Sequence, residues 1–151
     1  MEQIDAAADR YRIDTDLLER AGRSFDMMVE QRLCATARRH LGELREDRLA
    51  GGDPEHRRVA FGARHPASTP LDLIREYCLD DLGYLHSDLP ILEACFRLFL
   101  LNGNQSLTLA ELRQELDHWP GFSERLRPIA DEQVIEMLTH DGYYGLRQVA
   151  D

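Results

Sequence analysis

The sequence predicts a mainly α-helical protein, with a long N-terminal helix or helical hairpin, a linker, and a C-terminal helical module that ends in a small β-hairpin. Apolar residues recur at spacings of three and four on both sides of a Gly- and Pro-containing stretch at residues 50–70. Only residues 105–107 and 143–149 are expected to form strands. The predicted organisation is therefore a helical segment at 1–50, a linker at 51–70 and a helical module at 71–151.

Composition and charge limit the chemistry that the chain can perform. The 151 residues are 43% hydrophobic and 30% charged, which is typical of a globular protein, and the formal net charge is −10. All 18 basic residues are arginine, so mechanisms that need a Schiff-base lysine or a Walker lysine are excluded. An acidic chain also repels nucleic acid on average, so DNA binding would require a local basic patch.

The sequence also predicts a cytoplasmic protein without a membrane partner. The densest apolar run, "LPILEACFRLFLL", is too short to span a bilayer and contains Glu93 and Arg97. The first residues, "MEQIDAAADRYR", are acidic and polar, unlike a secretory signal. Cys34, Cys78 and Cys95 lack CxxC spacing and are expected to be reduced thiols, the last two as small core residues.

The N-terminal segment is predicted to be a helix that Thr15 or Asp16 caps and Gly51 ends, with possible divisions at Gly22 and Gly42. At about 1.5 Å per residue, an undivided helix would be roughly 50 Å long. Its apolar stripe must pack against the protein's own C-terminal module or against a second copy of the chain. We expect a homodimer, with self-association through Leu18, Phe25, Met28, Val29, Leu33 and Leu41.

Helix-capping signals place the next two helices. Thr69 can cap a helix with Pro70 at its first position and Gly83 at its end. A second helix at residues 88–102 is expected to begin at Asp88 and, being apolar nearly all round, to be buried. Gly103 can end it by adopting the left-handed conformation.

The last part of the chain carries a helix start of high specificity. Thr108 and Glu111, in "TLAE", have the spacing of a capping box, and a face of leucines follows. A long connection at residues 117–127 leads to the last helix, which ends at Asp141 and Gly142. "YYGLRQV" is then expected to form two short strands around Gly145.

This order of helix, short strand, helix, helix and hairpin over residues 88–150 resembles the winged helix-turn-helix superfamily. The capping box and "VIEMLTHDGYYGL", as the junction between helix and wing, carry the resemblance. It implies that the last helix enters a DNA major groove and that the wing lies beside it. The long connection departs from the usual tight turn, and a plain helical bundle with a C-terminal hairpin is the alternative.

The charge of the last helix conflicts with DNA recognition. Its N-terminal half carries Asp131 and Glu132, with Glu136 one turn later, and these carboxylates would face phosphate oxygens. Binding to DNA would instead depend on scattered residues and on the linker patch "HRRVAFGARH". The candidate nucleic-acid contacts are Arg57, Arg58, Arg64, Arg125, Arg127, Gln133, Tyr143 and Arg147.

No motif indicates an enzyme. The six histidines lack metal-ligand spacing, and the chain contains neither a nucleophile elbow nor a glycine-rich phosphate loop. We therefore expect no catalytic, cofactor-binding or metal-binding residues. The leading hypothesis is a non-catalytic regulatory or adaptor protein that assembles with other proteins through the winged-helix-like module and the long helix. The alternative is a DNA-binding transcriptional regulator.

Overall fold

The computed structural model describes residues 9–49 and 69–149, and within them the chain is mainly helical with one small antiparallel sheet. The N-terminal part contains β1 (Arg10–Ile13), α1 (Thr15–Arg20), α2 (Phe25–Glu30) and α3 (Ala35–Leu49). The second part contains α4 (Pro70–Tyr77), α5 (Ile91–Leu101), β2 (Leu107–Thr108), α6 (Leu109–Asp117), α7 (Phe122–Leu126), α8 (Asp131–Thr139) and β3 (Leu146–Gln148).

The prediction of a single long N-terminal helix is wrong, because the segment divides into three helices. Gly22 adopts a positive φ of 80° and ends α1, as its position in the sequence suggested. The hydroxyl of Ser24 then accepts a hydrogen bond from the Met27 N–H and starts α2. At the start of α1 the cap is Asp14, and not Thr15 or Asp16 as predicted. Gly42 does not divide α3, and the predicted end at Gly51 lies outside the described residues.

The apolar stripe of the N-terminal segment packs into the protein's own core. Leu18, Met28, Val29 and Leu33 are buried, and Phe25 and Leu41 are partly buried against the same cluster. The short helices fold the stripe back onto α4 and α5, which is the intrachain alternative that the sequence left open. The argument for self-association through an exposed stripe is therefore removed.

The central strand of the sheet comes from the N-terminal segment. The strand order is β2-β1-β3, with Tyr11 opposite both Leu107 and Gln148 and with Ile13 opposite Leu146. Tyr11 and Ile13 point into the core, while the alternate residues of β1 are exposed. One sheet and one continuous core thus join the segments on either side of residues 50–68.

The predicted hairpin around Gly145 is also wrong, because β3 pairs with β1 and residues 143–145 form no strand. The carboxylate of Asp141 is buried and accepts hydrogen bonds from the backbone N–H groups of Tyr143, Tyr144 and Leu146, at 2.8–2.9 Å. These hydrogen bonds hold the N–H groups in a compact turn, and the chain then forms β3, which pairs with β1.

The local capping predictions for the later helices are confirmed. Thr69 caps α4 with Pro70 at its first position, and Thr108 and Glu111 form the reciprocal hydrogen bonds of a capping box. Gly103 is left-handed after α5, with a φ of 77°. Two boundaries differ: α4 ends at Tyr77 and not at Gly83, and α5 begins after Pro90 without a side-chain cap from Asp88.

The long connection before the last helix is ordered by packing. It contains the short helix α7, whose Phe122 is fully buried. Gly121 precedes α7 with a φ of 86° and lies against Ser87, in a space that a Cβ atom could not enter. Arg113 on α6 donates hydrogen bonds to the carbonyls of Leu126 and Ile129, and so fixes the end of the connection relative to α6.

Candidate protein-interaction surface and adjoining thiol pair

One face of α8 combines carboxylates with apolar surface. Val134 and Leu138 anchor the helix in the core, which leaves Asp131, Glu132 and Glu136 exposed to solvent. Ile135 lies in the same exposed stretch and keeps 38% of its surface accessible. We call these four exposed residues of α8 the acidic face.

The acidic face is only partly neutralised. Arg113 Nη1 lies 3.4 Å from the carboxylate of Asp131, an ion pair without a well-aligned hydrogen bond from that nitrogen. Within the part of the chain that the structure describes, no arginine forms an ion pair with Glu132 or Glu136. A surface of this kind attracts a basic partner and repels phosphate.

Three of the candidate DNA-contacting side chains are held in local contacts on different elements. The Arg125 guanidinium donates to the carbonyls of Ser87 and Leu89, and Arg147 donates to its neighbour's carbonyl at 2.7 Å, with Asp141 at 3.9 Å. Gln133 accepts a hydrogen bond from the backbone N–H of Ala130 at the start of α8. These bonds support the fold, and each would compete with a contact to DNA.

Tyr143 and Arg127 remain accessible. Tyr143 is 42% exposed, and Arg23 lies over its ring at 4.7 Å while donating to the carbonyl of Gly142. Arg127 lines an open groove of about 390 Å³ between α6 and α7, together with Arg113 and Asp117. The other three candidates, Arg57, Arg58 and Arg64 of the linker patch, lie outside the described residues.

A buried ion-pair cluster joins the N-terminal segment to α5. Arg32 forms a bidentate ion pair with Glu93, in which Nε donates at 2.8 Å and Nη2 donates at 3.0 Å. Arg97 donates to the same carboxylate at 2.8 Å and also to the carbonyl of Tyr84 at 3.0 Å. The guanidinium of Arg32 lies 4.8 Å from the centre of the Phe96 ring. The sequence indicates only the contact between Glu93 and Arg97, because these two residues are one turn apart in an apolar helix.

Two charged partners set the protonation of Glu93. Burial on its own would raise the pKa of Glu93, but the hydrogen bonds and positive charges of Arg32 and Arg97 outweigh it and lower the pKa from 4.5 to about 2. Glu93 is therefore ionised at neutral pH, and the cluster is a structural contact between α5 and the residues that precede α3.

A pair of thiols lies beside this cluster, where the start of α3 meets the end of α4. The Sγ atoms of Cys34 and Cys78 are 2.8 Å apart, and the backbone N–H of Cys34 points at the Cys78 sulfur at 3.3 Å. Burial raises the pKa of Cys78 to about 12, so this group is a thiol at neutral pH. The sequence interpreted Cys78 only as a core residue, and its proximity to Cys34 could not be inferred from spacing.

A small polar pocket opens onto Cys34. Its volume is about 220 Å³, and its lining includes Cys34, Arg32, Arg38, Arg97 and Asp81. Tyr84 also lines it, and the buried Tyr84 hydroxyl makes no hydrogen bond within the described residues.

Among the described residues, no group of three or more His, Cys, Asp and Glu side chains is arranged to hold a metal ion. None of the helices in this part of the chain has the length and apolar character that crossing a membrane requires. Comparison with known proteins finds no matching family model, no similar curated protein and no similar solved structure.

Proposed function

We propose that the protein is a non-catalytic regulatory or adaptor protein that binds another protein through the acidic face of α8. The observation that carries this proposal is the exposure of Glu132 and Glu136 around the half-exposed Ile135 on a helix whose opposite side is firmly packed. Protein interfaces commonly surround an apolar centre with charged residues, and charge complementarity selects the partner. The expected partner therefore presents basic residues around an apolar contact point.

A relationship to winged helix-turn-helix proteins remains part of this proposal. Its support is the succession of α5, β2, α6, α7, α8 and β3, which follows the superfamily's order up to the last strand. The departure is that β1 takes the place beside β3 that the second strand of a wing would occupy. A wing that reaches away from the body is thus absent from residues 143–149, and the module would serve as a scaffold for α8.

The alternative function, DNA-binding transcriptional regulation, has weaker support. Repulsion between unit charges about 4 Å apart costs about 1 kcal/mol in water and several-fold more at a partly desolvated surface. The carboxylates of the acidic face would therefore oppose the electrostatic attraction that supplies most non-specific DNA affinity. Arg125 and Arg147 would also have to give up their hydrogen bonds to backbone carbonyls.

The proposal is tested by reversing charge on α8. Full-length protein and the double variant Glu132→Arg/Glu136→Arg are each crosslinked in extracts of the native host, after nuclease treatment. We expect at least one protein to be captured by the original chain and its yield to fall at least about fivefold with the variant, because two attractive contacts become repulsive.

A matched control separates this contact from a general charge effect. Glu19→Arg/Glu46→Arg makes the same change in net charge at exposed positions on α1 and α3. The captured protein should be retained by this control. Equal capture by all three proteins, or capture that disappears with nuclease, would contradict a protein contact at the acidic face.

A further inference from the structure

The meeting point of α3 and α4 has the geometry of a dithiol that can be oxidised. The 2.8 Å between the Cys34 and Cys78 sulfurs is about 0.8 Å longer than the ~2.05 Å of a disulfide bond. Cys95 is also fully buried, but it forms no disulfide and no sulfur–sulfur hydrogen bond with the described residues. The pair is therefore distinct from an ordinary buried cysteine, which acts as a small apolar side chain.

The two sulfurs differ in their access to solvent and in their surroundings. Cys34 retains 8% of its surface and lines the 220 Å³ pocket, whereas Cys78 is fully buried behind it. The Cys34 sulfur also lies at the N-terminus of α3, where the N–H of Ala37 points at it from 3.5 Å. The Cys34 Sγ atom also donates to the carbonyl oxygen of Tyr77 at 3.5 Å. Of the two sulfurs, that of Cys34 is therefore the one that borders a space an external reagent can enter.

We propose that Cys34 and Cys78 form a redox-active dithiol, which a small anionic disulfide of the glutathione disulfide class reaches through the arginine-lined pocket and converts into an intramolecular disulfide. This inference concerns a covalent modification site, and it is independent of the proposed contact at the acidic face.

The reaction balances as two successive thiol–disulfide exchanges. Cys34 gives up its proton to solvent, and its sulfur attacks one sulfur of glutathione disulfide; a mixed disulfide forms, and one glutathione leaves as a thiolate that solvent protonates. The Cys78 sulfur then attacks the Cys34 sulfur while its proton passes to the second glutathione, which leaves as a thiol. Two protein thiols are oxidised and one glutathione disulfide is reduced to two molecules of glutathione. Excess reduced glutathione reverses both steps.

The order of attack follows from the burial of Cys78. Its pKa of about 12 keeps it protonated and its position keeps it away from solvent, so Cys34 is the thiol that an external disulfide meets first. Arg32 and Arg97 share Glu93 as a partner, whereas the one hydrogen bond that Arg38 makes to a described residue goes to the carbonyl of Leu33. Arg38 is therefore the arginine best placed to attract an anionic disulfide.

The first experiment identifies the crosslink in the full-length wild-type protein. Reduced protein is incubated with glutathione disulfide, remaining thiols are alkylated, and the unreduced protein is digested by a protease that cleaves at aspartate. The aspartates at 80, 81 and 88 allow Cys78 and Cys95 to fall in separate peptides. Mass spectrometry should find a Cys34–Cys78 linkage within one chain, with Cys95 alkylated.

Oxidation should also stabilise the fold. Closing a loop of about 45 residues constrains the unfolded chain, so we expect the Tm of the oxidised monomer to exceed that of the reduced protein by about 5 to 15 °C. A link that forms only in denaturant, that joins two chains or that involves Cys95 would overturn the proposal. So would a native wild-type protein that forms no Cys34–Cys78 link.

Serine variants test the order of attack. In Cys78→Ser, Cys34 should stop at the mixed disulfide and carry one glutathione. In Cys34→Ser, Cys78 should remain unmodified because it is buried, and Cys95→Ser should form the internal link as the wild type does. Glutathione on Cys78 of folded Cys34→Ser would show that the assigned order is wrong. The wild-type crosslink decides the existence of the dithiol even if a variant fails to fold.

Disulfide reagents of opposite charge test whether the oxidant reaches Cys34 through the arginine-lined pocket. Arg38→Gln should slow oxidation by glutathione disulfide by about two- to fivefold, because one attractive unit charge is removed from the approach. Its reaction with cystamine, a cationic disulfide, should not slow. Equal slowing with both reagents, or no slowing with either, would overturn the arginine-lined route.

Discussion

At the scale of single residues, the buried carboxylate of Glu93 holds the guanidinium groups of Arg32 and Arg97 at the core. Replacing it by glutamine removes the charge that compensates Arg32 and Arg97 while preserving its size. Breaking one side of a buried ion pair costs about 3 to 5 kcal/mol, so we expect Glu93→Gln to lower the free energy of unfolding by about 3 kcal/mol or more. Urea denaturation at pH 7 measures the change. Glu132→Gln, at an exposed position, should leave the midpoint nearly unchanged, and equal effects of the two variants would contradict this role.

The lowered pKa of Glu93 predicts that the free energy of unfolding decreases as the pH falls. The pKa of Glu93 is lower in the folded protein, about 2, than its ordinary value of 4.5. Its contribution to stability is therefore fully present above pH 4.5 and is lost as the pH falls towards 2. A difference of about 2.5 pKa units corresponds to about 3 kcal/mol. The stability gap between wild type and Glu93→Gln should shrink over this window in a series of urea titrations, and a constant gap would contradict the assignment.

At the scale of elements, Gly121 fixes the way in which α7 begins. A Cβ atom there would lie 2.3 Å from the hydroxyl oxygen of Ser87, and the φ of 86° disfavours any side chain. Gly121→Ala should therefore destabilise the protein by about 2 kcal/mol or more. Gly42→Ala, within α3, is the matched control, because no atom of the described residues lies within 4 Å of the added Cβ atom and helix propensity favours alanine by about 1 kcal/mol. Thermal unfolding should show opposite shifts, and a stabilised Gly121→Ala would refute this account of the turn.

The turn before β3 depends on one buried carboxylate. Asp141→Ala would leave the N–H groups of Tyr143, Tyr144 and Leu146 without their acceptor. Hydrogen bonds to a charged group contribute about 1.5 to 3 kcal/mol each, and solvent can replace some of them, so a loss of about 3 kcal/mol is expected. Amide hydrogen exchange should accelerate first at these three positions. Unchanged exchange there would show that the turn is held by other contacts.

The elements that the sequence predicted correctly are those whose determining residues lie close together along the chain. The Thr108–Glu111 capping box and the Thr69 cap involve residues three positions apart, so the sequence contained the whole interaction. By contrast, β1 is four residues long and pairs with strands about 95 and 135 positions away, so its local pattern carried little information. The Arg32–Glu93 contact and the thiol pair join residues 61 and 44 positions apart, and only the fold brings them together.

At the scale of the whole molecule, the packing of the apolar stripe in the N-terminal segment determines whether the chain folds as a monomer or requires a second copy. Phe25 lies edge-on against Phe96 of α5, with ring centres 6.5 Å apart, and its neighbours Met28 and Val29 are buried in the same cluster. Because this cluster also includes residues from α4 to α8, the segment and the C-terminal module should unfold together. Removal of a fully buried phenylalanine costs about 3 to 5 kcal/mol. The ring of Phe25 is partly buried, so its loss lies towards the lower end of this range, and a carboxylate placed there adds a desolvation penalty.

Phe25→Asp should therefore unfold the whole chain or bring it close to unfolding, without an intermediate in which only the C-terminal module remains folded. Circular dichroism in urea measures the loss of helix, and sedimentation equilibrium of the wild type measures its mass against the 17.4 kDa of one chain. We expect the wild-type mass to be that of a monomer across the micromolar range, because the stripe is covered from within. Met27→Asp is the control, since Met27 projects from the same helix with 60% of its surface exposed, and it should change neither stability nor mass appreciably. If the wild type is a dimer and Phe25→Asp converts it into a folded monomer, the stripe forms an interface between two copies, and this prediction is wrong.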